Sequence, residues 1–202
     1  LYTTLAQHVV YKNPMRQVIF LDNHDINRFY STVGEDTAKY KMAFAWLLTC
    51  RGIPQMYYGN EILMAGVTSP NDGYVRLDFP GGWEGDASDK FTAAGRTEKE
   101  NSIFNYIKRL ANFRLKSSAI KTGKFMQFLP LDGVYVYFRY DNNQTVMCIM
   151  NTNKEPKTID LSRFQERMKD YTSALDVAAG QVFQLEKTIT LMPVSNLVLE
   201  LK

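Results

Sequence analysis

The stretch Gln17 to Arg28 reads QVIFLDNHDINR and sets two carboxylates and an imidazole within four residues: Asp22, Asn23, His24 and Asp25. Carboxylates this close repel each other, which raises at least one pKa unless hydrogen-bond donors compensate. Such a cluster is costly where burial is expected, and that makes it a candidate for chemistry. A second account stays open: Asp and Asn routinely close strands through local hydrogen bonds, with no ligand involved. Arg28 follows near enough to pair with a carboxylate of the cluster, while Asp22 and Asn23 are placed to orient the turn.

The element that must position this cluster is the apolar run Val18 to Leu21. It is short, opens on β-branched residues and reads as a buried strand. The polar residues then sit at its C-terminal end, which in parallel α/β folds is where ligands bind. A helix is expected over Thr37 to Arg51, with Asp36 as N-cap, Tyr40, Phe44, Leu47 and Leu48 at helical spacing, and Gly52 as the C′ residue. Ile53 to Tyr58 is a second short apolar strand, with Pro54 confined to its first residues because proline cannot donate to a ladder. Strand, helix and strand make a βαβ unit. Glu61 beyond it is expected in a structural ion pair, and Tyr57 and Tyr58 in packing.

Ala65 to Gly95 is a long Gly, Asp and Pro-rich loop, the length of loop that is usually functional or disordered. Tyr74, Phe79 and Trp83 are expected to anchor it. Thr97 and Glu100 have capping-box spacing and open a helix over Asn101 to Leu115, with Lys108, Arg109, Arg114 and Lys116 turned to water or the helix end. After Gly123 the texture changes to short strand-like runs broken by turns, among them Leu131-Asp132-Gly133. Expected strands cover 125–130, 134–140, 145–150, 158–161, 182–185, 188–191 and 197–201, an antiparallel sandwich. The fold class read from these patterns is α/β over 1–120, followed by an all-β antiparallel sandwich over 121–202.

Composition excludes several classes. The chain has 202 residues, 45% of them hydrophobic and 22% charged, with a net charge of +3, as in ordinary globular domains. No basic run is interleaved with a stacking platform, so nucleic acid is not an expected partner. The apolar run Met42 to Cys50 is too short to span a bilayer, so neither is a membrane. Cys50 and Cys148 read as core thiols. His8 reads as structural or exposed, and no metal-ligand spacing or cofactor motif is present.

Three blocks, in order, carry a family resemblance. FLDNHD (Phe20 to Asp25) resembles the last conserved region of the α-amylase family of glycoside hydrolases. GIPQMYYGNE (Gly52 to Glu61) resembles its eighth barrel strand, and DGYVRLDFPGGW (Asp72 to Trp83) the loop beyond in the neopullulanase and cyclomaltodextrinase branch. The resemblance makes 1–120 a partial (β/α)8 barrel, its strands seven and eight, followed by a C-terminal β-domain, and so a C-terminal fragment whose partner is the preceding part of a longer chain. It implies that Asp25 is the transition-state-stabilising carboxylate, that His24 binds substrate, and that Arg28, Asp72 and Arg76 contact sugars. In retaining glycosidases a second and third carboxyl group attack and protonate. The resemblance puts both on earlier strands, so this chain alone is expected to be inactive on α-glucan oligosaccharides.

Two other functions remain: α-glucan transfer, as in branching or trehalose-forming relatives, and a non-catalytic carbohydrate-binding or oligomerisation module. For the module, Tyr135, Tyr137 and Tyr140 are either a glucan-binding face or simply the filling of a strand face. Trp83 either stacks on a sugar or anchors its loop. Two parallel strands leave apolar edges uncovered, so the purified chain is expected to form homo-oligomers in sedimentation velocity. A compact monomer at high concentration contradicts this.

Overall fold

A computed structural model describes residues 1–202, apart from the side chain of His8, which leaves the expectation for that residue outside the description. The chain begins with α1 (Tyr2–Ala6) and two 3₁₀ turns, then β1 (Val18–Ile19). After β1 come the polar turn, a one-turn helix α2 (Phe29–Thr32) and α3 (Thr37–Thr49). β2 (Ile53–Pro54) returns parallel to β1, pairing Val18 with Ile53 and Ile19 with Pro54. Both strands are shorter than the apolar runs predict. The ladder ends where Gln55 N donates to Ile19 O at 2.8 Å, and beyond it both chains turn into loops.

Asp36 caps α3 as expected, its carboxylate accepting from the amides of Ala38 and Lys39 at 2.8 and 3.1 Å. Gly52 does not occupy the C′ position. The helix stops at Thr49 and Cys50 is its C-cap. Gly52 serves the strand crossing instead: its φ is +109°, and a Cβ there would stand 2.7 Å from Gln17 O.

The long helix α4 (Glu98–Lys116) carries the predicted capping box. Glu100 N donates to Thr97 Oγ1 at 3.2 Å and Thr97 N to Glu100 Oε2 at 2.6 Å. Its basic residues are not all turned to water. Arg114 donates to the carbonyls of Leu48 and Gly52 at 3.0 and 2.8 Å, closing the C-terminal end of α3, and Arg109 donates to Ala178 O at 2.6 Å.

After α5 (Ser118–Thr122) the chain is mainly β: β3 (Lys124–Gln127), β4 (Val134–Tyr140), β5 (Thr145–Asn151), β6 (Lys157–Asp160), the one-turn α6 (Gln165–Met168), β7 (Ser173–Asp176), β8 (Gln181–Gln184), β9 (Thr188–Leu191) and β10 (Ser195–Leu201). Six strands form one antiparallel sheet in the order β3-β4-β5-β10-β7-β8, and β6 pairs with β9 in a second layer. β7, with the sequence SALD, was not expected as a strand; too short and too polar to show a period, it is held by pairing with β10 and β8. The turn at Leu131 to Val134 takes positive φ at Asp132 and Gly133, the conformation its DG pair favours.

The large sheet is covered on both faces. Tyr135, Tyr137, Val146, Cys148, Met150 and Val198 pack with Tyr40, Phe44, Leu47, Ile103, Ile107 and Leu110 of the long helices. Alternate residues, Val134, Val136, Phe138, Met147, Ile149, Leu199 and Leu201, pack with Leu161, Phe164 and Leu191 beneath the small sheet. The long helices and the β-region thus share one hydrophobic core. Tyr135 and Tyr137 are sealed in it, which overturns a glucan-binding face there. Cys50 and Cys148 are buried free thiols, and burial pushes both up, to about 12 and about 11.

Arg139 lies wholly within this interior. Its Nη1 donates to Thr49 O and its Nη2 to Gly123 O, each at 3.1 Å, joining the end of α3 to the start of the sheet. Burial draws its guanidinium down to about 10. Truncation would leave two buried carbonyls without a donor, at a cost of about 1–3 kcal/mol each. Arg139→Ala is therefore expected to lower the urea midpoint markedly, with Arg139→Lys recovering little because one ammonium cannot span both carbonyls. An unchanged midpoint contradicts this role.

Candidate functional site

The two carboxylates of the polar turn part company. Asp22 faces inward and is fully buried. Its Oδ2 accepts from Phe29 N at 2.7 Å, holding the first turn of α2, and its Oδ1 accepts from Asn60 Nδ2 at 2.8 Å. Asn60 lies in the loop after β2, and its carbonyl accepts from the buried hydroxyl of Tyr40 at 2.8 Å. Burial, with Asp22 nearby as a second cause, drives the Tyr40 phenol far above its ordinary pKa, so it remains a donor. One chain of hydrogen bonds thus runs from α3 through the second strand-end loop to the first.

Asp25 faces outward. Asn23 Oδ1 accepts from Asp25 N at 2.8 Å, an Asx turn that points the next carboxylate away from the core. The Asp25 side chain is 60% exposed and that of His24 63% exposed, with His24 Nε2 3.3 Å from Asp25 Oδ2. Arg76, from the loop after β2, gathers this group. Its Nε donates to His24 O at 2.9 Å, and its Nη2 donates to Asp25 Oδ1 at 3.1 Å and to Asp72 Oδ2 at 2.9 Å. The guanidinium offsets the repulsion that two neighbouring carboxylates would otherwise feel. Four of the five candidates, His24, Asp25, Asp72 and Arg76, therefore form one open polar cluster beyond the C-terminal ends of the parallel strands.

Arg28 stands apart from that cluster. It is fully buried, and the carboxylate pairing expected for it is not found among the described residues. Its Nη1 donates to Tyr58 O, and its guanidinium carbon lies 4.0 Å from the Tyr57 ring centroid and 4.6 Å from that of Tyr58. The two tyrosines meet edge to face at 4.6 Å. Desolvation, then the hydrogen bond that Tyr57 donates toward Tyr58, raises the Tyr57 phenol. Arg28 supports the lip of β2 from behind. Glu61 likewise has no ion-pair partner among the described residues, contrary to expectation.

Sequence reasoning missed the part played by Asn60, whose only signal was its place beside Glu61 at the end of the second apolar run. It also misjudged the loop aromatics. Tyr74 is half exposed and Trp83 is 67% exposed, so neither is a buried anchor; Phe79 does pack, on Phe91 at 4.5 Å.

Residues 1–79 match the family described as alpha amylase, catalytic domain, and residues 125–200 match the cyclo-malto-dextrinase C-terminal domain. A cyclomaltodextrin glucanotransferase of Geobacillus stearothermophilus is 32% identical over 141 residues, covering 70% of this chain and 17% of that protein. Neopullulanase 2 of Thermoactinomyces vulgaris is 26% identical over 181 residues, covering 89% and 28%. Among solved structures, a γ-cyclomaltodextrin glucanotransferase of the alkaliphile Bacillus clarkii superposes with a TM-score of 0.73 at 27% identity, covering 98% of this chain and 28% of the other. An Anoxybacillus α-amylase superposes with a TM-score of 0.78 at 23% identity, covering 100% and 41%, a likeness of fold. The chain spans between 16% and 28% of the length of the curated relatives it matches.

The buried carboxylate is expected to be indispensable to the turn. Asp22→Asn replaces one of its two acceptor oxygens by a donor, so either Phe29 N or Asn60 Nδ2 loses its partner, at about 1–3 kcal/mol. Thermal unfolding should shift down, and Asp22→Ala, which removes both acceptor oxygens, should strip the Phe29 amide of its protection in hydrogen exchange. Unchanged protection at Phe29 contradicts the assignment.

Proposed function

We propose, for a chain that belongs to the α-amylase family, that it forms the sugar-gripping half of an active site acting on α-glucosidic bonds in α-glucan oligosaccharides. The observation that carries the reading is the Arg76 clamp, which holds Asp25, His24 and Asp72 together beside two parallel strand ends.

In this reading Asp25 accepts hydrogen bonds from sugar hydroxyls. Arg76 and His24 each touch one of its oxygens from the side, and the exposed remainder of the carboxylate is free for substrate. A fixed carboxylate of this kind strengthens its hold as positive charge develops on the sugar ring, which lowers the barrier more than it tightens ground-state binding. His24 and Asp72 add hydroxyl contacts on either side. Arg28 acts at one remove, by holding Tyr57 and Tyr58.

A lone carboxylate cannot both attack the sugar and protonate the leaving group. The attacking and protonating carboxyls are therefore assigned to the preceding part of a longer protein, which is the proposed partner of this chain, and the chain by itself is proposed to be catalytically silent. The C-terminal domain match favours the cyclomaltodextrinase and neopullulanase branch. Transfer to a sugar acceptor is the second reading, favoured by the glucanotransferases at 32% identity. The two differ only in whether water or a sugar accepts.

Affinity electrophoresis in glucan-containing gels tests the reading. The chain is expected to be retarded, and Asp25→Ala and Arg76→Ala to migrate as in glucan-free gels, with no maltotriose or pullulan hydrolysis by any of them. Retardation unaffected by Asp25→Ala would transfer the binding to a surface module elsewhere on the chain, and hydrolysis by the purified chain would refute its silence.

A further inference from the structure

The loop that supplies Arg76 continues into a second feature that the cluster does not use. Trp83 is 67% exposed, although tryptophan supplies more buried area than any other side chain when it packs. Its backbone, by contrast, is firmly held. The Asp86 carboxylate accepts from Gly81 N at 2.7 Å and from Trp83 N at 3.1 Å. Gly81 sits at φ +106°, and a Cβ there would fall 2.6 Å from Asp89 Oδ1 and 2.7 Å from Asp89 Cα, so the tip can close this tightly only on glycine.

Both ends of the loop are tied down. Tyr58 OH donates to Leu77 O at 2.7 Å, fastening its start to the lip of β2, one residue beyond the Arg76 clamp. Lys90 N donates to Pro80 O at 3.0 Å, and Lys90 Nζ lies 2.7 Å from Glu100 Oε2 in the first turn of α4. An indole left in water on so constrained a backbone loses little further freedom when a ligand lies on it.

We infer that Trp83 is a preformed stacking platform for a glucose ring of the bound oligosaccharide, and that Asp86 is the positioning residue that presents it. The inference rests on the proposed function, which supplies the sugar; it adds a subsite that extends the contact beyond the Asp25 cluster. The chemistry that suits an exposed indole face is the apolar C–H face of a pyranose, whose hydroxyls stay at the rim in water. A free neutral oligosaccharide of several glucose units is therefore the ligand.

The full chain can be titrated with maltoheptaose while tryptophan emission is followed. The sequence has two tryptophans, and Trp46 packs against the core, so a ligand-dependent change reports on Trp83. A saturable blue shift is expected, absent in Trp83→Ala, with calorimetric affinity for maltoheptaose falling about tenfold in that variant. Trp83→Phe should keep most of the affinity. Asp86→Ala should lose it in part, and Asp86→Asn, which retains an acceptor oxygen, should restore it. If Asp25→Ala abolishes binding while Trp83→Ala changes neither emission nor affinity, the platform is overturned and the Asp25 site stands. If Trp83→Ala weakens binding and Asp25→Ala does not, the platform stands and the Asp25 reading falls. Absence of any maltoheptaose binding by the chain overturns both.

Discussion

A carboxylate in a protein interior is tolerated only when its lone pairs are used, and Asp22 uses them to hold two loops in one arrangement. One oxygen fixes the amide that begins α2; the other fixes Asn60 in the loop after β2. The two-residue strands β1 and β2 could not set the relation of their loops by themselves, because so short a ladder constrains little beyond Gln55. The buried carboxylate does so instead. Three residues later the chain carries another carboxylate of the same chemistry, and the Asx turn at Asn23 sends it to the opposite side, into water. One residue type thus serves as internal brace and as exposed acceptor within a single turn.

The two arginines near the site divide in the same way. Arg76 lies in the open and pairs with carboxylates, where exposed ion pairs contribute little to stability and much to arrangement. Arg28 is wholly buried and meets a carbonyl and two aromatic faces rather than an anion. Its planar cation, weakly hydrated compared with an ammonium, suits that environment. The tyrosines it supports then hold the loop that delivers Arg76, since Tyr58 is bonded to Leu77. The open cluster is in this sense mounted on the buried one.

Beneath both lies a sheet whose central strands β4 and β5 are buried on both faces. Strands β4, β5 and β10 contribute alternate residues to two cores, so the helices that follow the site's strands and the C-terminal β-region are packed into one body. Arg139 and Arg114 finish the junction by donating to carbonyls at the end of α3 and just beyond it. Loops that carry chemistry need a rigid base, and here the base is shared between the two regions.

Much of this was legible in the residues. The apolar run ending in DNHD, the Asp36 cap, the Thr97 and Glu100 box and the DG turn are local signals, and local hydrogen bonding decides such features wherever the rest of the chain lies. The family blocks also singled out His24, Asp25, Asp72 and Arg76, four residues that meet in the structure. Burial was not legible, because it belongs to partners far off in sequence. Tyr137 and Arg139 alternate with apolar neighbours as a solvent-facing edge would, yet helices separated from them by many residues cover that face. Asp22 and Asp25 are chemically equal in the sequence, and only the approach of Asn60 makes one a core residue. Types and spacing determined which groups could act; the three-dimensional path of the chain decided which of them meet water, since solvation depends on what packs against a side chain and not on what precedes it.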